Sequence, residues 1–517
     1  MKIGPLVKST RMVSAATLAS KILGFIRDVI IAKFFGTGFR AQAFVVAFRI
    51  PNLLRSMVGE GGTNSAVVPV LSRLNEQGRT REFWEVASCL LNVSVVLLTG
   101  LVLLGELFAP YIVRVIAPGF IGEPVKLNLT IRLTRFLFPY LFLIGLTAYA
   151  TAVLNSLKVF ALPALAPCML NIGLIASSLI FCPRLEEPVD GLALGVLIGG
   201  LLQLSIQIPL LVRKGLFRKR GYHFVHPRIK EIGRLFLPRI LGIAIYQINL
   251  FIDTIFASLA FIVGEGAPAA LQFANRIIQF PLALFAVALA QVALPAMSGL
   301  ALREDFTQLK RTISFSLRSV FTIMIPATAG LMVLAYPLVK MIFERGNFTS
   351  YSTDITSFAL FFYCLGLTGY AGVKVLASCF YSLKDTFTPG KVAAFALLIN
   401  IVLNLILMHP LGMGGLALAT SISVTVNFAL LLFILKKKVG RFDHLGLSLS
   451  KIILATTIMG LALWFIFYRM DLISGKLSPG VRLIVAALAA AMVYLGVLKI
   501  FAREEAGIFA EWILRKR

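Results

Sequence analysis

The stretch "SKILGFIRDVIIAKFFG", from Ser20 to Gly36, places Lys21, Arg27 and Asp28 inside an otherwise apolar run near the N-terminus. Such a run is long enough to cross a bilayer, whose hydrocarbon core is about 30 Å thick. A charge in the middle of that core costs roughly 2.5–3.5 kcal/mol on insertion scales, so charged residues in membrane helices face protein or water. The stretch therefore predicts a membrane helix with one polar face that lines the interior of a helix bundle.

The whole chain has the composition of a polytopic membrane protein. Of its 517 residues, 58% are hydrophobic and only 14% are charged, and the mean hydropathy is +0.90. Soluble domains carry about 25% charged residues. Apolar runs of about 20 residues recur from end to end, each long enough to cross a membrane. We therefore predict an all-α polytopic membrane protein with about fourteen transmembrane helices.

The basic residues are distributed as topology signals. The chain has 50 Lys and Arg against 23 Asp and Glu, a formal net charge of +27. In a soluble protein this excess would suggest nucleic acid, but here the basic clusters fall in alternate loops, as cytoplasmic loops of membrane proteins do. The pattern predicts cytoplasmic N- and C-termini, an even number of spans and no nucleic-acid partner. Some of these cations can also hold anionic headgroups of membrane lipids.

Several other chemistries are not supported by the sequence. The five cysteines are scattered without a C-x-x-C pair, which argues against a disulfide framework or a zinc site. The segment "GEGGTNSA", Gly59–Ala66, lacks the Lys-Ser/Thr ending of a phosphate-binding loop, so ATP binding is not predicted there. Active transport would then use an ion gradient or the membrane potential. The charges near the N-terminus interrupt any signal-peptide core, so the first helix is expected to be retained.

The two halves of the chain resemble each other at a nearly fixed offset. "VPVLS" (Val68–Ser72) parallels "LPAMS" (Leu294–Ser298), and "SLKVFALP" (Ser156–Pro163) parallels "SLKDTFTP" (Ser382–Pro389), both 226 residues apart. Parallel six-helix repeats are typical of transporters whose two lobes move around a central site. The alternative is a duplicated scaffold without transport. The predicted domains are an N-lobe at 1–222, a pseudo-symmetric C-lobe at 223–440 and two C-terminal helices at 441–517.

The first two helices of each lobe carry polar faces, so we expect them to enclose a central cavity. Lys21 and Asp28, for example, are seven residues apart and share one helix face. Cations outnumber acids in this predicted cavity, which favours an anionic ligand, because arginine matches phosphate oxygens in bidentate fashion. The alternative is that these charges pair with one another, as Arg27 with Asp28 or Arg55 with Glu60. The predicted substrate-binding residues are Lys21, Arg27, Arg49, Arg55 and Arg276, and the predicted gating or ion-pair residues are Asp28, Glu60 and Lys374.

A second polar group lies away from these cations. Asn400 and Asn404 are four residues apart on one predicted span, and Thr420 on the next span can face them. Together with Asp253 they would supply hard oxygen ligands for a small cation such as Na⁺. Hydrogen bonding between helices is the alternative interpretation, since Asn and Thr commonly do this in membranes. No other cofactor is predicted.

Several of these segments resemble the MurJ (MviN) family of bacterial lipid II flippases, within the multidrug/oligosaccharidyl-lipid/polysaccharide exporter superfamily. In chain order they are "SKILGFIRDVIIAKFFG", "AFRIPNLLRSMVGEGG", "AVVPVLSRL", "APGF", "ANRIIQFP" and "VLASCFYSLKDTFTP". The resemblance covers almost the whole chain. It implies movement of the undecaprenyl-diphosphate-linked peptidoglycan precursor, lipid II, from the inner to the outer leaflet of the bacterial cytoplasmic membrane. That step serves cell wall biogenesis and cell shape, with the peptidoglycan synthesis machinery as a possible partner.

The resemblance also implies roles for particular residues. Spans 13 and 14 would form a groove for the polyprenyl tail. Lys21 stands where the family usually has arginine, which makes bidentate binding less available there. The family's cavity cations, which would engage the diphosphate headgroup, fall on Lys21, Arg27, Arg55 and Arg276. A sodium site found in some members falls on Asp253, Asn400, Asn404 and Thr420, with a backbone carbonyl near Leu416.

These expectations combine into an alternating-access mechanism. An inward-open cavity would take the headgroup while the tail stays in lipid, and the lobes would then rock to release it outward. One rival is export of another anionic amphiphile or polyprenyl-linked glycan. Another is a polytopic membrane enzyme of the glycosyltransferase type. Such enzymes need a catalytic acid in a sizeable extracytoplasmic loop, whereas the notable charges here lie inside predicted spans, so the chain is predicted not to be an enzyme.

Overall fold

The computed structural model describes residues 3–57, 63–216, 224–440, 442, 445–469 and 478–507. Side chains are described within these ranges except at 3–11, 54, 237–246 and 469. The described residues form helices joined by short turns, and no strand occurs among them. The predicted all-α class is therefore confirmed.

Contacts divide the chain into two compact units, Met1–Phe261 with Arg345–Phe348, and Ile262–Glu344 with Thr349–Arg517. The helices of the first unit are α1 (Ile3–Phe35), α2 (Phe39–Arg55), α3 (Thr63–Glu76), α4 (Thr80–Ile116), α5 (Pro124–Leu137), α6 (Pro139–Ser156), α7 (Ala161–Ile180), α8 (Pro188–Ser205), α9 (Ile208–Lys214) and α10 (Pro227–Ala257). The short helix α11 (Ala260–Val263) contains the boundary.

The second unit continues with α12 (Ala267–Pro281), a π-helical segment (Leu282–Val287), α13 (Ala288–Leu302), α14 (Phe306–Val333), α15 (Ala335–Phe343), α16 (Ser350–Leu365), α17 (Leu367–Ser382), α18 (Phe387–Leu411), α19 (Met413–Val439), α20 (Leu445–Arg469) and α21 (Pro479–Phe501). The first unit includes α10, which the repeat assigned to the second lobe. A contact-based unit and a sequence repeat are different quantities, so the predicted domain limits stay a prediction.

The number of membrane spans agrees with the sequence estimate. Within the described residues, ten helical segments are long and apolar enough to cross a membrane, or eleven if α16 and α17, which meet at a 44° bend, form one span. The helices outside that set are α1, α2, α3, α10, α11 and α15. Of these, α1 has 33 residues and α10 has 31, so both are long enough to cross a membrane and bring the total near the predicted fourteen. The charges of α1 explain why hydropathy alone does not select it, and α2, with 17 residues, is shorter than the other spans.

Turn geometry shows the internal repeat directly. Lys158 and Lys384, 226 residues apart, both adopt the left-handed conformation, with φ of 61° and 59°. The amide of the next residue bonds to the carbonyl five residues before it at 2.9 Å in both turns. The pair Gly78 and Glu304, also 226 apart, has φ of 68° and 57°. A left-handed lysine is unfavourable by roughly 1–2 kcal/mol, so its recurrence at matching positions reflects a shared fold.

The last two helices pack against α14 within the second unit. Their apolar core includes Met459 and Leu463 of α20 and Ala490 and Leu498 of α21, all buried. The Tyr494 hydroxyl donates a 2.7 Å hydrogen bond to the carbonyl of Thr322, which ties α21 to α14. The two C-terminal spans are therefore packed into the second unit as an integral part of it.

Candidate functional site

The charged residues of the opening stretch form a compact cluster on α1. Arg27 donates from Nε and Nη2 to the same Oδ1 of Asp28, at 2.9 and 2.6 Å. Its Nη1 donates to Oδ1 of Asn171 on α7, at 3.0 Å. The Asp28 side chain is 9% exposed and the Arg27 side chain 18%. The arginine is thus held by a carboxylate on its own helix and an amide on another.

Asn171 ties the two helices together as well as binding the arginine. Its Nδ2 donates to the carbonyl of Ser20 on α1 at 3.0 Å and to that of Pro167 on α7 at 3.2 Å. One turn earlier, the Cys168 thiol lies 3.5 Å from the carbonyl of Ala16. Asn171 is not among the residues predicted from the sequence, although an isolated amide in the apolar run 161–180 is a signal of interhelical bonding.

The pairing resolves one alternative left open by the sequence. A buried carboxylate costs several kcal/mol unless it is paired and hydrogen-bonded. Asp28 meets that condition through Arg27, as the pairing interpretation expected. Lys21 lies two turns earlier on α1 and is exposed. The predicted polar face of α1 therefore has two parts: the buried ion pair of Arg27 and Asp28, and the exposed Lys21.

The arginines of α2 are half-buried and hydrogen-bonded within the first unit. Arg49 donates from Nε to the Thr254 hydroxyl on α10 at 3.0 Å. Arg55 donates from Nε to Oδ1 of Asn52, one turn earlier, at 2.9 Å. Glu60, its predicted partner, lies outside the described residues. Lys21, Arg27, Asp28, Arg49 and Arg55 all belong to this unit.

Arg276 and Lys374 belong to the second unit. Arg276 is half-buried on α12, beside a hydrogen bond of 2.9 Å from Gln279 to Asn275 on the same helix. Lys374 is exposed on α17. Their assignment to a headgroup cavity stays a prediction, as does that of the first unit's cations.

The predicted cation ligands of the second unit form a chain of hydrogen bonds between α18 and α19. Asn404 donates to Oδ1 of Asn400 at 3.0 Å, Asn400 donates to the Thr420 hydroxyl at 3.3 Å, and Thr420 donates to the carbonyl of Leu416 at 3.0 Å. Both asparagines are fully buried. This arrangement matches the hydrogen-bonding interpretation, and the same oxygens are the donor set that a sodium ion would need. Asp253 belongs to the first unit and accepts from Asn249 at 3.2 Å.

No carboxylate, thiolate or imidazole cluster suited to a transition metal is present in the described part of the chain. The neutral oxygens of Asn400, Asn404, Thr420 and the Leu416 carbonyl suit only a hard, weakly charged cation. The sodium assignment stays a prediction.

An apolar groove of about 610 Å³ runs along α14 and α20 in the second unit, here called the α14–α20 groove. It carries no charged side chain, and the Thr457 hydroxyl on its wall bonds to the carbonyl of Ile453 on its own helix. Such a surface suits a hydrocarbon chain. It is lined by Ile325, Ala329, Val333, Ile453, Thr456, Thr457, Gly460, Leu461 and Trp464.

The chain matches one protein family over most of its length. The sequence model described as "Lipid II flippase MurJ" matches residues 31–481. A probable lipid II flippase MurJ of Vibrio cholerae serotype O1 is 37% identical over 436 residues, which cover 82% of each chain. The lipid II flippase MurJ of Burkholderia cenocepacia is 33% identical over 440 residues, which cover 84% of each chain.

Solved structures give the same relationship. A lipid II flippase MurJ in an inward closed conformation superposes with a TM-score of 0.81 at 29% identity, covering 95% of this chain and 99% of that one. An inward-facing multidrug resistance transporter of the MATE family superposes with a TM-score of 0.69 at 16% identity, covering 81% and 94%. The second likeness shows a shared fold.

Proposed function

The chain belongs to the MurJ family of lipid II flippases, and from this premise we propose that it carries lipid II from the inner to the outer leaflet of the bacterial cytoplasmic membrane. The family consists of transporters, so no covalent change of the substrate is involved. The observation that carries the proposal is the arginine–carboxylate cluster inside the span formed by α1. Ionisable groups within a membrane mark a substrate or ion pathway.

The cluster supports recognition of the diphosphate, because the diphosphate can replace Asp28 and Asn171 as the hydrogen-bond acceptor of Arg27. Without substrate, the donors of Arg27 are satisfied by Asp28 and Asn171. A diphosphate offers stronger, doubly charged acceptors for the same guanidinium geometry. Lys21, exposed two turns away on α1, is placed to attract the anion first. Arg49, Arg55 and Arg276 complete the set of cations proposed to surround the headgroup.

Alternating access is the proposed transport cycle, with both termini in the cytoplasm. The matching turns at Lys158 and Lys384 support it, because two lobes of common design can exchange equivalent inward and outward arrangements. Asp28, Glu60 and Lys374 are proposed as gating or ion-pair residues. The membrane potential or an ion gradient would reset the carrier, and a sodium ion held by the Asn400–Thr420 group with Asp253 would couple to it.

The tail of the substrate is proposed to lie in the α14–α20 groove. That groove carries no charged side chain and is apolar except for the Thr456 and Thr457 hydroxyls, which suits a polyprenyl chain, and it lies on the unit that contains the two C-terminal spans. Burial of apolar surface there would contribute about 25 cal/mol per Å². Membrane lipids and the peptidoglycan synthesis machinery are the other proposed partners.

The proposal is tested by depleting the protein in its bacterium and measuring which leaflet holds lipid II, using an externally added enzyme that cleaves only outer-leaflet lipid II. We expect protected, inner-leaflet lipid II to accumulate and the wild-type protein to restore cleavage. Arg27→Ala should fail to restore it, whereas Arg311→Ala, an exposed arginine on α14, should succeed. Unchanged leaflet distribution with blocked polymerisation would instead indicate a role after translocation.

A further inference from the structure

Arg318 on α14 forms a polar cluster that the proposed headgroup site does not use. Its Nη2 donates to Oε2 of Glu504 and to Oε1 of Glu505, both at 2.7 Å. Its Nε donates to the Ser448 hydroxyl on α20 at 3.2 Å. One guanidinium therefore joins α14, α20 and the segment that follows α21.

The two carboxylates of this cluster differ in burial. The side chain of Glu505 is 3% exposed and that of Glu504 is 79% exposed, while Arg318 is 15% exposed. Burial alone would raise the pKa of Glu505, but hydrogen bonds from Ser448 and Arg318 outweigh burial and hold the pKa below its usual value. Removing one partner of a buried ion pair leaves an uncompensated charge, so the Arg318–Glu505 bond resists opening.

The cluster lies at one end of the α14–α20 groove. Arg318 precedes the first groove residue of α14, Ile325, by seven residues, roughly 10 Å at 1.5 Å per residue. Ser448 precedes the first groove residue of α20, Ile453, by five residues, roughly 7.5 Å. The bond from Arg318 to Ser448 therefore fixes the separation of the two groove walls just beyond the end of the groove.

The groove walls themselves meet through apolar side chains. Hydrocarbon contacts are non-directional and do not set a spacing as hydrogen bonds do. At the Arg318 end, one directional bond of 3.2 Å, from Arg318 to Ser448, joins the two walls. The bonds to Glu504 and Glu505, both 2.7 Å, hold the guanidinium in place from the segment after α21. A methyl-branched polyprenyl chain and a straight alkyl chain differ in cross-section, so wall spacing can discriminate between them.

We propose that Arg318 is a positioning residue that sets the width of the α14–α20 groove and so its preference for a branched polyprenyl tail. This inference rests on the proposed function. It predicts that Glu505 matters more than Glu504, because only Glu505 is buried with the arginine. It also predicts that the headgroup site is unaffected when the cluster is broken.

The test measures binding of two lipid II analogues to the full-length protein in nanodiscs. They carry the same disaccharide–pentapeptide diphosphate, one on a polyprenyl tail and the other on a saturated straight chain of equal carbon number. We expect wild type to bind the polyprenyl analogue more tightly and Arg318→Ala to bind both equally. Glu505→Gln should behave like Arg318→Ala, Glu504→Gln like wild type, and Arg318→Lys should recover part of the preference. Arg311→Ala on the same helix is the matched control.

The outcomes separate this inference from the proposed function. If wild type binds neither analogue, the proposed function fails. If wild type binds both and Arg318→Ala keeps the polyprenyl preference, the positioning role is overturned. If Arg318→Ala does not fold, Glu505→Gln and Arg318→Lys give the same comparison, and an unchanged preference in both also overturns the role. If Arg318 had a purely structural role, its loss would weaken the binding of both analogues equally, and the ratio of the two affinities would not change.

Discussion

Two polar clusters between membrane helices show how differently this protein uses buried polarity. Between α1 and α7, Arg27, Asp28 and Asn171 form a charged cluster whose arginine remains partly accessible. Between α18 and α19, Asn400 and Thr420 belong to a neutral cluster that is almost fully buried. Both clusters bridge two helices with hydrogen bonds of 3.0 to 3.3 Å.

The two clusters differ in how much each contributes to the stability of the fold. Neutral bonds between membrane helices stabilise by about 0.6 kcal/mol on average, because separated helices find other partners. A buried ion pair can be replaced by apolar residues with little loss, so stability alone does not account for the Arg27–Asp28 pair. Breaking the two clusters should therefore affect transport and stability in different proportions.

The largest effect is expected from Arg27→Ala. The change leaves Asp28 buried without its guanidinium, which should lower the free energy of unfolding by about 3–5 kcal/mol and abolish flipping. Thermal unfolding in detergent and the leaflet assay measure the two effects. Arg40→Ala is the matched control, because its ion pair with Glu187 is more than a third exposed and should change stability by at most about 1 kcal/mol. If both variants had equal effects on stability and flipping, the buried ion pair would matter no more than the exposed one.

Asn171→Leu should have the next largest effect. It removes the acceptor of Arg27 Nη1 and the bond to the Ser20 carbonyl, and a hydrogen bond to a charged group contributes about 1.5–3 kcal/mol. The same unfolding measurement checks it. Ser178→Ala on α7 is the control, because that hydroxyl bonds within its own helix, to the Leu174 carbonyl. A stability change no larger than that of the control would show that α7 does not hold the arginine.

Asn400→Leu should have a smaller effect and lower the free energy of unfolding by about 0.6–1.7 kcal/mol. The variant loses its bonds to Thr420 and Asn404, while Thr425→Val, a hydroxyl that bonds within α19, serves as the control. Repeating the unfolding curves in sodium and in potassium sharpens the comparison. If sodium binds here, it stabilises wild type and Thr425→Val but not Asn400→Leu. Equal curves for wild type in both salts would leave this cluster as hydrogen bonding alone.

A smaller effect is expected at an ion pair in the turn between two candidate spans. Lys438 and Thr388 hydrogen-bond Asp385 in the turn before α18, and the bond from Lys438 is the main reason that the pKa of Asp385 is lowered to about 2. The unfolded value is about 3.9, so this stabilisation is present above about pH 4 and is lost as the pH falls toward 2. Asp385→Asn should lower stability by under about 1 kcal/mol at pH 7, and the difference from wild type should vanish in acid.

The repeat-related turn supplies the control for that measurement. There Lys158 pairs with Glu76 at 3.4 Å, and both side chains are about two-thirds exposed. Glu76→Gln should therefore change stability less than Asp385→Asn. A larger change at Glu76 would contradict the ranking of polar groups by burial.

Much of the fold was predictable because membrane helices can be identified from their apolar composition. Long apolar runs predict spans, and the matches "SLKVFALP" and "SLKDTFTP" predict a repeat with which the left-handed Lys158 and Lys384 agree. The candidate site was predictable only in part. Helical spacing identified the charged face of α1, but nothing in that spacing names Asn171, 144 residues further along the chain.

The sequence by itself determined the class, the approximate number of spans, the duplication and the family, because each depends on local hydropathy or on matching segments. Only the tertiary structure decided that Arg27 is shared between Asp28 and Asn171, that Lys21 stays accessible, and that Arg318 bonds Ser448 beyond one end of an apolar groove. Helix periodicity fixes which residues share a face. The helix that meets that face is selected by long-range packing and by the need to satisfy every buried charge.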